Sequence, residues 1–133
     1  MVVHLARFDY LVRAALGGED AAALVRNGAW QAEFGSGFPR ELHTLDPGID
    51  VPEPPPLDAA LALLDAQTRA TLALLDSGID FTTMRSFPDD DDLFTTGAAQ
   101  VVQAARLALW IPMHDRYHRG HITHTKYDYT TSR

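Results

Sequence analysis

The chain has 133 residues, 46% of them hydrophobic and 22% charged, with a net charge of -7 and no cysteine. That length and balance describe one globular domain over residues 1–133 with a single core. The acid excess and the scatter of the 11 basic residues argue against a nucleic-acid partner, and the lack of cysteine excludes disulfides, thiolate metal sites and a cysteine nucleophile.

In chain order, the first element is a helix from Val2 to Leu16, with His4, Phe8, Leu11 and Ala15 on one face at three- and four-residue steps. Gly17 and Gly18 supply its left-handed stop, and a short helix follows from about Asp20 to Arg26. The stretch "NGAWQAEFGSGFPRELHTLDPGIDVPEPPP" is interrupted too often by Gly and Pro for a helix and reads as a long loop. A second long helix is marked by the stripe Leu57, Leu61, Leu64, Thr68, Leu72 and Leu75, and Gly78 closes it.

The acidic run "FPDDDD" reads as a solvated turn, since it lacks the Gly and the closing Glu of a calcium loop. Thr95 or Thr96 then caps a third long helix that starts near Gly97 and should kink at Pro112. No strand-like alternation of useful length is visible, so the expected class is all-α, an up-down helical bundle. No apolar run reaches membrane-span length and the N-terminus lacks a signal-peptide pattern, so no membrane partner and a cytoplasmic location are expected.

The chemistry concentrates in "PMHDRYHRGHITH", which holds four of the six histidines. His114 and His118 are four apart and stack on one helix face, close enough for two imidazoles to share a cation. The stripe Leu107, Ile111, His114, His118, His121 continues an apolar face, which should turn these rings into the bundle. His4 occupies a comparable inward position near the other end of the chain, and a third imidazole from a neighbouring helix would complete a three-histidine site with open positions. The residues alone leave two readings standing: a metal site, or histidines satisfied structurally. Trp30 and Trp110 read as packing anchors, and His43 and His124 as surface residues.

Three segments resemble the DinB-like family: "VVHLARFDYLVRAALGG", "PPPLDAALALLDAQTRATLALLDSGID" and "HDRYHRGHI". The resemblance implies a four-helix bundle that binds a divalent metal, zinc or nickel, through His4, His114 and His118. It also implies, among members of known activity, thiol S-transfer to a small electrophilic substrate, with bacillithiol, mycothiol or glutathione as co-substrate, or a related isomerisation.

Where relatives carry Gln after Arg-Gly, this chain has His121, an alternative ligand or a group behind the ligands, with Tyr117 in a similar supporting place. Arg116 and Arg119 are candidates to receive a carboxylate of the thiol or substrate, and no catalytic residue is assigned. The family's first helix has no counterpart ahead of His4, so an incomplete bundle of three long helices, paired as a homodimer, is expected. The competing function is a non-catalytic helical module whose histidines are structural or whose metal only stabilises the fold.

Overall fold

The computed structural model describes residues 2–27, 55–89 and 99–131, with side chains of the last helix through Thr123. Its elements are α1 (Val2–Leu16), α2 (Ala21–Arg26), α3 (Leu57–Asp76), β1 (Met84–Pro88), β2 (Ala99–Gln103) and α4 (Ala104–Thr131). The expectation of an all-α chain is therefore corrected: the described residues are mostly helical but include a two-stranded antiparallel sheet. Thr95, Thr96, Trp30 and His43 lie outside the described residues.

α1 is the helix on which the others assemble. Leu5, Phe8, Leu11, Val12, Ala15 and Leu16 are all buried, and the helix packs against α3, α4, α2 and β1. Gly18 ends the segment at φ 94°, a left-handed conformation that a side chain would strain. Asp20 then caps α2 by accepting the Ala23 N–H at 3.1 Å, and Ser86 Oγ donates to the same carboxylate at 2.9 Å, which ties α2 to β1. These bonds hold the Asp20 carboxyl below its ordinary pKa, the one from Ala23 most of all.

α3 has the expected span and closes at Gly78, φ 88°. Its buried face differs from the leucine stripe read in the sequence. Ala60, Gln67 and Thr71 are buried, Leu63, Leu64, Leu74 and Leu75 pack on the core, and Leu57, Leu61 and Leu72 are 66%, 49% and 56% exposed. Seven leucines spread around this helix, so hydrophobicity alone did not select a face. Hydrogen bonding contributes to the choice: Arg13 Nη1 donates to the Gln67 carbonyl at 3.2 Å and Thr71 Oγ1 to the same oxygen at 3.0 Å.

The hairpin sets where α4 begins. β1 and β2 pair from Met84–Gln103 to Pro88–Ala99, and the chain passes straight from Gln103 into α4. The first helical N–H groups, which have no partner inside their own helix, find carbonyls in the turn before β1: Ala104 N–H donates to Thr83 at 2.9 Å and Ala105 N–H to Phe81 at 3.0 Å. A two-stranded ribbon is marginal alone. This one is pinned by Phe87, fully buried and edge-on to both Phe8 (6.2 Å) and Trp110 (5.5 Å), and by Val102. α4 therefore starts at Ala104 rather than near Gly97, and it runs through Pro112. No helix among the described residues is long and apolar enough to cross a membrane.

Candidate metal centre

Fixing the start of α4 against the hairpin and its flank against α1 carries the histidines of both helices to one place. His4 comes from the first turn of α1; His114 and His118 come from successive turns of α4. Their Nε2 atoms form a nearly equilateral triangle: 2.9 Å from His4 to His114, 2.9 Å from His4 to His118, and 3.0 Å from His114 to His118. All three side chains are half-buried, and among the described residues they are the one group of three or more ligand-type side chains able to hold an ion.

The triangle has a chemical meaning. An imidazole nitrogen offers one in-plane site, which carries a proton or a lone pair but not both. Three such sites cannot satisfy one another pairwise, because each would have to donate and accept at once. A cation in contact with all three lone pairs resolves the conflict.

The rings are held from behind. Phe8 stacks on His114 with centroids 3.9 Å apart and planes 23° from parallel, and Phe8 is itself 4% exposed in the core. His118 turns Nδ1 toward His121 Nδ1 at 3.3 Å. Were His118 to ligate through Nε2, its proton would sit on Nδ1, facing His121.

His121 stands outside the triangle; it is exposed and does not continue the inward stripe. Tyr117 is 64% exposed and packs edge-on against His118 (5.1 Å) and His121 (4.5 Å). Arg116 and Arg119 are exposed on the same helix.

Two carboxylates that the sequence reading did not single out lie nearby in the chain, Asp9 buried and Asp115 half-buried. Asp9 is 2% exposed; burial, and secondarily the charge of Asp115, push its carboxyl up to about 7, against a smaller opposing pull from Arg13. Burial also raises the Asp115 carboxyl. Oδ1 of each is buried and accepts no hydrogen bond among the described residues. A cavity of about 470 Å³ opens between α1 and α3 beside Tyr10, Arg13, Ala70 and Leu74, and none of the three histidines lines it.

No family model, curated protein or solved structure matches the chain. The assignment of chemistry therefore rests on the site itself.

Proposed function

We propose that the chain is a divalent-metal protein in which His4, His114 and His118 hold one zinc or nickel ion, and that it acts as a DinB-like, thiol-dependent S-transferase on a small electrophile. The observation that carries the metal reading is the triangle of Nε2 atoms 2.9–3.0 Å apart, an arrangement that hydrogen bonding among imidazoles does not satisfy. An ion held there supplies Lewis acidity and stabilises a thiolate near neutral pH.

The rest falls to the chain. Phe8 and His121 keep two of the ligand rings in place. The exposed guanidinium groups of Arg116 and Arg119 are suited to a carboxylate of the thiol or substrate. The thiol itself comes from outside, because the chain has no cysteine. Metal analysis of untagged protein tests the first half, and turnover of a chlorinated aromatic with bacillithiol, mycothiol or glutathione tests the second. A metal-free protein whose melting temperature ignores added zinc and nickel would remove both.

One observation favours a second reading, in which the metal holds the fold without catalysis. His4 and His114 lie 110 residues apart in sequence, so an ion between them cross-links α1 to α4. Under this reading metal raises the melting temperature while no thiol and electrophile pair turns over.

A further inference from the structure

We infer that the cleft between the C-terminal halves of α1 and α3 is a separate binding site, shaped for a small zwitterion: a free α-amino acid with an apolar side chain. Ala14 in its wall follows His4 along the same helix at a distance of about 15 Å, so the site owes nothing to the histidines or to an ion among them.

The cleft exists because the two helices meet here through small side chains. Ala14 and Gly17 line it on the α1 side and Ala70 and Ala73 on the α3 side, and a volume of about 470 Å³ stays open between them. That size suits a small ligand. Leu74 and the Tyr10 ring supply the larger apolar surface of the wall, where an aliphatic or aromatic side chain can rest.

One polar end of the cleft is Arg13. Its guanidinium lies over the Tyr10 ring at 5.5 Å, and Nη1 donates to the Gln67 carbonyl at 3.2 Å, so the cation is held on the wall in advance. The planar fork of a guanidinium is matched to a carboxylate.

The other end is negative. Arg13 bonds to Gln67, and Leu74 Cδ2 lies 4.0 Å from where a Cβ on Gly17 would stand, so α1 and α3 run past the cleft in the same direction. Both helices therefore end beside it, and Gly17 and Ser77, the residues that follow them, line its mouth. Each helix end carries roughly half a negative charge, and no basic residue in the last turn of α3 offsets its share. Glu19 adds a full charge. Its N–H donates to the Ala14 carbonyl at 2.9 Å, which folds Glu19 back over the turn of α1 that carries Arg13. Opposite charges thus bracket one short gap. A plain amine or a plain carboxylate would satisfy one end and leave the other facing its apolar body; an amino acid satisfies both.

Calorimetric titration of the whole chain with L-leucine and L-phenylalanine tests this. At least one should bind, one per chain, with a dissociation constant below about 1 mM. N-acetyl-leucine, which lacks the ammonium, and 3-methylbutylamine, which lacks the carboxylate, should each bind about 10-fold or more weakly. Ala70→Leu puts a good helix former at an exposed position and fills the cleft, so it should abolish binding while leaving the melting temperature near that of the parent. Glu19→Gln, exposed and outside both helices, should weaken the amino acid about 10-fold and leave N-acetyl-leucine unchanged. Failure of both amino acids to saturate the chain, analogues that bind equally well, or a Glu19→Gln chain with parental affinity would overturn the inference. Each of these results leaves the metal reading where it stands.

Discussion

The two halves of α1 differ in what they bury beside apolar side chains. Its C-terminal half, from Leu11 to Leu16, is almost wholly apolar and meets α3 and the hairpin in a core that includes Phe87, Val102 and Leu107. Its N-terminal half adds to the buried Leu5, Ala6 and Phe8 the polar His4, Arg7 and Asp9, the last two buried, on the side of the helix array that also holds His114 and His118. Burial of apolar groups stabilises the first half directly, whereas burial of ionisable groups costs stability in the second. The apolar half is the scaffold, and the polar half is held in place by it. Substitutions in the two halves should therefore fail in different ways: in the first by unfolding, in the second by losing metal or changing the response to pH.

The largest effect should come from Phe87→Ala. The ring is fully buried and contacts both Phe8 and Trp110, so its loss should cost about 3–5 kcal/mol. Chemical denaturation measures this, and a cost below that of an average surface substitution would break the division into halves.

Asp9→Asn should act in the opposite direction. The folded carboxyl titrates at about 7 and the unfolded one near 3.8, so through that window the folded chain keeps a proton the unfolded chain has released. Stability therefore falls as pH rises through the window, and the cost is fully present above it. Thermal melts in chelator should show the Asn chain more stable than the parent by several degrees at pH 8, with little difference at pH 4. Equal melts at both values would show that the burial of Asp9 carries no such cost.

The next effect is smaller and leaves stability alone. His121→Ala removes the acceptor behind His118, and metal affinity should drop by roughly 10-fold or more, while His121→Gln, which keeps an acceptor oxygen, should retain most of it. Calorimetric titration with nickel distinguishes the two. Smallest is Asp20→Ala, which removes the cap of α2 and its bond from Ser86, and should cost about 1 kcal/mol without touching the metal site.

Sequence patterns carried some of this and missed the rest for identifiable reasons. The helices at 2–16, 21–26 and 57–76 were legible because glycines with positive φ or a capping aspartate punctuate them. The pairing of His114 with His118 followed from helical spacing, and His4 joined them through its inward position and the DinB-like resemblance.

The strands were not legible. Each has five residues with few buried side chains, and "GAAQVVQAAR" has a composition that a helix accepts; pairing with Met84–Pro88 decides its conformation. The face of α3 was misread because its leucines outnumber the positions α1 can cover. Asp9 and Asp115 were not singled out, because nothing in a sequence marks a carboxylate that packing will bury wholly or in part.

The most direct test of the metal centre is nickel or zinc stoichiometry, measured on untagged protein and on four single variants. One ion per chain is expected in the parent and in His121→Gln, and none in His4→Ala, His114→Ala or His118→Ala, because two imidazoles hold an ion poorly. If His121→Gln empties the site while His4→Ala stays loaded, the ligands come from α4 alone and the triangle is not the metal centre.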